Sequence, residues 1–392
     1  MKILVVCQYY SPEPFKVADV CEALVAKGHE IDVITSFPNY PMGKIYDGYK
    51  KGAHRDETIN GVNVHRVFTV GRRTGFIWRT VNYYVYSVAS TLYASKLKKD
   101  YDVVFVYQLS PVMMANAGIK YKKKHNKKLL LYCLDLWPDS LTSGGVKQGS
   151  LIFRYFEKVS ERIYKSCDKI LVSSKSFAEH LRASFSIEEE ITYLPQYAEN
   201  LFKPTQARQK ETVDLTFAGN IGAAQSVETI IHAAEILQNE KINFHVVGDG
   251  SELENCKKLA KEKNLQNVIF HGRKPIEVMP EIYENSDAML VTLTDDPAIS
   301  KTLPGKVQSY MAAGKPILGA INGETAQTII SAECGFVAPA EDGEKFAECI
   351  KEFLKSDKEK LGDNSYKYYT QYFSKEIFTE TLLRELQSQI QD

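Results

Sequence analysis

Short apolar runs alternate along this chain with segments of helical period. In the first half the runs are 3–7, 31–35, 62–67, 103–107, 129–133 and 170–173, and amphipathic stretches such as 17–26 and 151–166 lie between them. After residue 200 the alternation restarts, with runs at 215–218, 244–247, 268–271, 288–293, 317–320 and 335–337 and helical segments such as 227–238 and 251–263. Near-continuous apolar strands separated by helices predict parallel sheets covered on both faces. Two such series predict an α/β fold of two tandem doubly wound, Rossmann-like domains, with ligands at the carboxyl ends of the strands. The break falls between Leu194-Pro195-Gln196 and Lys203-Pro204, with the polar segment 206–211 as a linker. The expected domains are 1–195 and 205–372, and a last helix in 373–392 comes after both sheets are complete.

The stretch from Lys301 to Pro316 reads as a loop, one helix and the start of a strand. Pro304 and Gly305 keep the loop out of helix and open to a ligand. Met311, Ala312 and Ala313 favour helix, Gly314 is a natural C-cap, and Pro316 stops the helix before Ile317-Leu318. A helix N-terminus bared by such a loop is an anion site, and Lys306 stands in its first turn. That arrangement suits a diphosphate held without a metal; the same pattern also serves in any ordinary strand-loop-helix. Three glycine-bearing turns end earlier strands: Gly219-Asn220-Ile221-Gly222, Gly248-Asp249-Gly250 and Gly272-Arg273. Each alone marks a turn. Aligned at one sheet edge beside Lys306, they predict a phosphate and nucleoside cleft. After the first strand stands Gln8-Tyr9-Tyr10-Ser11-Pro12-Glu13-Pro14 rather than G-x-G-x-x-G, which argues against an NAD or FAD enzyme.

Composition narrows the class. The 392 residues, 44% hydrophobic and 25% charged, suit a soluble globular protein of two or three domains. A formal net charge of zero removes a whole-chain nucleic-acid footprint. The charge is uneven, with roughly 28 Lys and Arg against roughly 20 Asp and Glu in residues 1–199 and an acidic excess after them. Seven cysteines, none in C-x-x-C, point to buried thiols in a reducing cytoplasm. The first apolar run is too short for a signal peptide, and no run is long enough to span a membrane. The histidines show no metal spacing, so no metal site is expected.

These pieces, in this order, resemble a two-domain GT-B glycosyltransferase of family four over nearly the whole chain. The similarity rests on the F-x-G-N-x-G turn at 217–222, Gly248-Asp249-Gly250, His271-Gly272-Arg273, Ser286-Asp287-Ala288 and Tyr310-Met311-Ala312-x-Gly314-x-Pro316. Three first-half pieces resemble a narrower group, the N-acetyl-fucosamine transferases of O-antigen and capsule assembly. They are Tyr10-Ser11-Pro12-Glu13, the run from Phe37 to Gly43, and Asp135-Leu136-Trp137-Pro138-Asp139-Ser140. The resemblance implies a nucleotide-sugar donor, usually UDP-linked, bound in the second domain. It implies an acceptor on the first domain, a cleft closing between them, and a last helix crossing back to the first. It further implies retention of configuration with no metal or other cofactor. The expected reaction moves an N-acetylated hexosamine or deoxyhexosamine to a polyprenyl-diphosphate-linked saccharide for surface polysaccharide, in the cytoplasm or peripherally on the inner face of the membrane. Two rivals are a nucleotide-sugar epimerase, whose carboxylate and histidine set is not evident, and a non-catalytic subunit that binds a partner transferase.

One departure from the family pattern matters. Its two glutamates, eight positions apart, are here Lys301 and Ser309. A lysine near the diphosphate adds charge where the leaving group becomes negative, while the sugar contact falls to Asp295, Asp296 or Glu324. The family's Arg and Lys after the 217–222 turn are Asn220 and Gln225, which shifts the diphosphate onto Arg273, Lys301 and Lys306. The donor set implied by the resemblance is Asn220, Gly222, Gln225, Gly248, Arg273, Lys274, Lys301, Thr302, Pro304, Gly305, Lys306, Ser309 and Glu324. On the acceptor side stand Pro12, Asn39, Tyr40, Gln108 and Asp139, and the catalytic candidates are Glu13, Asp135 and Lys306. Asp135 at a strand end suits orienting or deprotonating an acceptor hydroxyl, and Asp139 suits the same role or an N-cap. The segment from Arg72 through Tyr83, Tyr84 and Tyr86 mixes cations and aromatics at helical spacing. Lys120, Lys122, Lys123, Lys124, Lys127 and Lys128 form a second basic cluster. Both suit either an anionic lipid surface or an aromatic helix packed in the first domain with solvated lysines.

Overall fold

A computed structural model describes residues 1–73, 75–188, 190–204 and 211–391. Thr74 and all but Glu211 of the expected linker lie outside the described residues. The chain divides into two units, Met1–Leu194 together with the residues from Thr379 on, and Pro195–Phe378.

In the first unit the order is β1 (Lys2–Val6), α1 (Val17–Ala26), β2 (Glu30–Ser36), β3 (Asp56–Ile59), β4 (Val62–Val67), α2 (Phe76–Lys96), β5 (Val103–Gln108), α3 (Asn116–His125), β6 (Lys128–Cys133), α4 (Leu151–Tyr164), β7 (Lys169–Val172), α5 (Lys175–Phe185) and β8 (Ile191–Tyr193). The sheet runs β3-β4-β2-β1-β5-β6-β7-β8. Strand order reverses between β1 and β5, paired in parallel from Ile3↔Val103 to Val6↔Val106. Leu4, Val6, Val104, Val106, Leu129 and Leu131 bury one face in a common core. Two strands are additional to the sequence reading. β3 is a polar edge strand antiparallel to β4, joined to it through Asn60-Gly61 at φ 50° and 84°, a hairpin turn with both central residues left-handed. β8 has three residues.

The second unit follows with β9 (Val213–Ala218), α6 (Glu228–Ile236), β10 (Ile242–Val247), α7 (Leu253–Glu262), β11 (Val268–Gly272), α8 (Met279–Glu284), β12 (Ala288–Thr292), α9 (Gly305–Ala312), β13 (Ile317–Ala320), α10 (Gly323–Ser331), β14 (Gly335–Ala338), α11 (Gly343–Leu354) and α12 (Lys358–Tyr372). Its six-stranded sheet runs β11-β10-β9-β12-β13-β14, every pair parallel, with the reversal between β9 and β12. Leu215, Phe217, Phe244, Val246, Leu290 and Leu318 form its core with Ile230, Phe346 and Ile350 of α6 and α11. The last helix, α13 (Lys375–Gln391), begins in the second unit and continues into the first. There Glu385 reaches Lys169 Nζ at 3.1 Å, and that ammonium also meets Glu190 at 2.8 Å.

Candidate active site

In the second unit the site forms where strand order reverses. α9 starts at Pro304, which supplies an extended N-cap but no side-chain cap, so its first amides point into the loop. Residues four apart share a helix face, and here they are Lys306 and Tyr310. Tyr310 ties α9 to the end of β9: its hydroxyl donates to Ala218 O at 3.0 Å and accepts from Ala218 N at 3.1 Å. One turn nearer the N-terminus, the Lys306 ammonium lies 3.9 Å over the Phe217 ring. A Cβ at Gly219 would stand 2.7 Å from that nitrogen, and Gly219 has φ 151°, so glycine leaves room for the lysine. The Lys306 stem is partly exposed, but its Nζ is enclosed and, among the described residues, has no hydrogen-bond partner. Burial alone lowers its pKa from the ordinary 10.5 to about 7.

The other donor-side residues are placed more variously. Gly248 packs its backbone on the neighbouring turn: a Cβ there would meet Gly219 O at 1.8 Å. Its glycine serves the contact between two turns rather than a ligand's approach. Gln225 Oε1 accepts from Asn220 Nδ2 at 3.0 Å and from Gly222 N at 3.3 Å, which fixes the 219–225 turn internally. Arg273 and Lys274 are exposed beyond β11, and Gly305 is exposed at the start of α9. Thr302 Oγ1 donates to Ile299 O at 2.7 Å, and Lys301 ends the short turn Ile299–Lys301. Asp296 caps that turn through the amides of Ala298 and Ile299 at 2.8 and 3.0 Å, and Asp295 accepts from Asn322 Nδ2 at 2.9 Å. Glu324 is buried in the first turn of α10.

Ser309 brings in a residue that sequence reasoning missed. Its hydroxyl donates to Glu199 Oε2 at 3.4 Å and to Gly305 O at 3.3 Å. Glu199 lies 110 positions away in the chain, so a carboxylate stands beside the position where the family pattern has its second glutamate. No local pattern announces such a pairing.

In the first unit the strand-end loops are tied inward by their polar side chains. Glu13 is buried, and it accepts from the amides of Tyr40 at 2.7 Å, Asn39 at 2.8 Å and Tyr10 at 3.3 Å. Burial pushes its pKa up to about 7 against the pull of those amides. It thus clamps the loop after β2 to the loop after β1, which turns this catalytic candidate inward. Asn39 is buried too, donating to Phe37 O at 2.9 Å and accepting from Arg72 N at 3.1 Å. Tyr40 rests near Phe15 at 5.1 Å, while Pro12 is exposed. Gln108 Nε2 donates to Leu109 O and Asp135 O, both at 2.9 Å.

Asp139, expected on the acceptor side or as an N-cap, is held by a partner within the first unit. Its carboxylate is 2.9 Å from His180 Nε2, linking the Trp137-Pro138-Asp139 loop to α5. Pro138, not Asp139, takes the cap position of the short helix Asp139–Gly144. Asp135 accepts from Ser110 Oγ, which itself accepts from Trp137 Nε1 at 2.8 Å, and burial raises its pKa. It lines a cavity of about 330 Å³ with Arg72, Arg79, Tyr83 and Trp137. The aromatic-cation segment is divided: Tyr83 and Tyr86 are core residues, and Ile77 and Trp78 are exposed. Of the lysine cluster, Lys122 pairs with Asp168 at 2.5 Å, Lys127 with Asp100 at 2.9 Å, and Lys124 donates to the carbonyls of Ser95 and Leu97.

All seven cysteines are buried thiols outside any disulfide. Among the described residues no group of three or more His, Cys, Asp or Glu has the geometry to hold a metal ion, and no helix is long and apolar enough to cross a membrane.

Two family models match the chain: Glycosyltransferase Family 4 over residues 17–196 and Glycosyl transferases group 1 over residues 199–369. The chain is 26% identical over 266 residues to the probable glycosyltransferase WbjE of Pseudomonas aeruginosa, a match covering 64% of this chain and 66% of that protein. It is 23% identical over 336 residues to the putative colanic acid biosynthesis glycosyl transferase WcaI of Escherichia coli (strain K12), covering 80% and 82%. Among solved structures, HepE of Anabaena in complex with UDP aligns with a TM-score of 0.72 at 13% identity, covering 99% of this chain and all of that one. At that identity the likeness establishes the fold, two Rossmann-like domains of GT-B type.

Proposed function

We propose that this chain, which belongs to the family 4 and group 1 glycosyltransferases and has their GT-B fold, moves a sugar from a UDP-linked donor to a lipid-linked saccharide, with retention and without a metal. The observation that carries the reading is the enclosed, unpartnered ammonium of Lys306 at the strand-order reversal of the second unit. A buried cation with no counter-charge is costly. A diphosphate supplies that counter-charge, and the uncapped start of α9 adds amide donors to the same anion. As acceptor oxygen bonds to the donor's anomeric carbon, the bond from that carbon to the β-phosphate oxygen breaks. The hydroxyl proton passes to the departing phosphate, so no side-chain base is needed. Lys306 stabilises the charge that gathers on UDP, the task a divalent ion performs elsewhere.

Uridine as the base rests on the family likeness and on HepE, solved with UDP. A role in surface polysaccharide assembly follows WcaI, named for colanic acid biosynthesis. An N-acetylated hexosamine or deoxyhexosamine donor follows the likeness of the loops at 10–13, 37–43 and 135–140 to N-acetyl-fucosamine transferases. Glu199, beside Ser309, stands in for the second glutamate of the family pattern, whose resemblance-implied role is to hold the donor's ribose.

The test is a thermal-shift and calorimetric screen of the purified chain against UDP, GDP, ADP and a panel of UDP-sugars in EDTA. Saturable stabilisation by UDP, lost in Lys306→Ala, is the expected result. A folded chain that responds to no nucleotide overturns the transferase reading and leaves the non-catalytic subunit.

A further inference from the structure

The first unit holds a second place where positive charge lacks a partner. The cavity of about 330 Å³ opens between the start of α2 and the loop after β6, with Phe156 of α4 in its wall. Arg72 lines it: its Nη2 donates to the Tyr83 hydroxyl at 3.2 Å, while its Nε is enclosed with no partner among the described residues. Arg79 also lines it, and among the described residues its guanidinium makes no hydrogen bond or ion pair. Asp135 is the one carboxylate in the wall among the described residues, and the Ser110 hydroxyl donates to it. Two guanidiniums against one capped carboxylate leave the cavity suited to an anion, and guanidinium planes match phosphate oxygens in pairs.

The helix turns that wall the cavity also carry exposed apolar side chains. On α2 these are Ile77 at 75% exposure and Trp78 at 44%; on α4 they are Leu151 at 86%, Ile152 at 47% and Tyr155 at 53%. The two helices meet through the hydroxyls of Tyr84 and Tyr155, 2.9 Å apart. Arg73, stacked over Trp78 at 4.3 Å, and the exposed Arg154 and Lys158 set cations among them. Single exposed apolar residues need no explanation, but five on adjoining helix starts, bordering a cationic cavity, form an amphipathic surface.

We propose that this cavity binds the phosphate or diphosphate head of an amphiphilic lipid, with its hydrocarbon chain lying on Ile77, Trp78, Leu151, Ile152 and Tyr155. The proposal rests on the lipid-linked acceptor of the functional reading and names where its anchor is held. Arg72 and Arg79 take the phosphate oxygens. Trp137 in the cavity wall and Trp78, next to the lining residue Arg79 in sequence, are the chain's two tryptophans, so both indoles can report on binding.

The experiment is tryptophan fluorescence of the full chain titrated with farnesyl diphosphate below its micellar concentration, beside inorganic pyrophosphate and farnesol. Saturable change with farnesyl diphosphate, at least tenfold tighter than with either fragment, is the expected result. Arg79→Ala weakens it at least tenfold and leaves the thermal shift by UDP unchanged; Ile77→Ser with Leu151→Ser weakens farnesyl diphosphate toward the value for pyrophosphate. Equal affinity for pyrophosphate and farnesyl diphosphate overturns the lipid assignment, and equal affinity for farnesol overturns the phosphate assignment. Binding that survives Arg79→Ala and Arg79→Glu in a folded chain overturns the site. No step needs a donor, so binding of farnesyl diphosphate by a chain blind to every nucleotide sinks the transferase reading and leaves the lipid site standing. UDP binding with no response to farnesyl diphosphate does the reverse.

Discussion

Glu13 and Lys306 invite comparison, one from each unit. Both stand at strand ends beside a point of strand-order reversal, and burial brings both pKa values to about 7, from opposite directions. Glu13 is met by three backbone amides. Lys306 is met by an aromatic face and a glycine, with no hydrogen-bond partner among the described residues. The first is a saturated group whose interactions hold two loops together. The second is an unsaturated group that the fold tolerates at a cost. A charge buried with its partners is an element of architecture, and a charge buried without them marks where a ligand completes the structure.

The largest expected effect comes from removing the unsaturated group. Lys306→Ala lowers transfer from a UDP-sugar about a hundredfold, the scale of one lost charged contact to a leaving group, read as kcat/KM on the purified chain. The sharper variant is Lys306→Met, which keeps the stem. It raises the stability of the ligand-free protein by roughly 1–3 kcal/mol at neutral pH, because an unpaired buried cation disappears, and denaturant midpoints read it. Loss of stability in Lys306→Met would make the lysine architectural and end the contrast. Glu13→Ala has the opposite signature. It strands three amides, two of them buried, and destabilises by roughly 2–4 kcal/mol, while UDP binding is retained at temperatures where the variant is folded.

How much of this could be read from the chain follows the same division. The strands between 3 and 7 and between 335 and 337 were legible because fully buried parallel strands are nearly pure apolar runs. β3 escaped because an exposed edge strand, Asp-Glu-Thr-Ile, has no such run, although Asn60-Gly61 carried the hairpin signal. In the second unit the helix that carries the candidate Lys306 was legible because α9 needs Pro304 before it and Gly314 after it, and both leave their mark in sequence. It was not legible at Glu199, which meets Ser309 through the fold alone. In the first unit the residue types were found but their directions were not: Glu13 and Asp139 look catalytic as letters, yet one binds amides and the other His180. A carboxylate's partners depend on which loops approach it, and apolar periodicity carries nothing about that.

A smaller effect tests whether Glu199 restores what position 309 lacks. Glu199→Gln keeps the shape and a hydrogen-bond acceptor but removes the charge, and is expected to weaken UDP binding about three- to tenfold, the scale of one hydrogen bond to a charged group. Calorimetry on the folded variant reads it. ADP is the control, since a ribose contact weakens every nucleotide alike whereas a contact to the base does not. Unchanged affinity would leave Glu199 as packing for α9 alone.

The smallest effect is the most specific to Lys306. With a folded pKa of about 7 against the ordinary 10.5, the folded ligand-free chain holds fewer protons than the unfolded chain between those values. Its stability therefore rises with pH across that window, and the lysine's penalty is fully present below about 7. Glu13 runs the other way: raised from 4.5 to about 7, it contributes stability that is present below 4.5 and lost as pH rises through 7. Lys306→Met cancels the rise above pH 7, and Glu13→Gln cancels the fall below it. Ligand binding adds a sign that only the lysine can produce. A UDP-sugar has no phosphate that titrates near neutrality, unlike free UDP, and its diphosphate favours the charged ammonium. Binding below pH 7 finds the lysine already protonated; above it, binding takes up a proton, and affinity falls by up to about tenfold per pH unit. Calorimetry of a UDP-sugar in two buffers of different ionisation enthalpy at pH 8 reads that proton directly. Zero uptake there, with binding intact, would mean that the anion is held by groups other than Lys306.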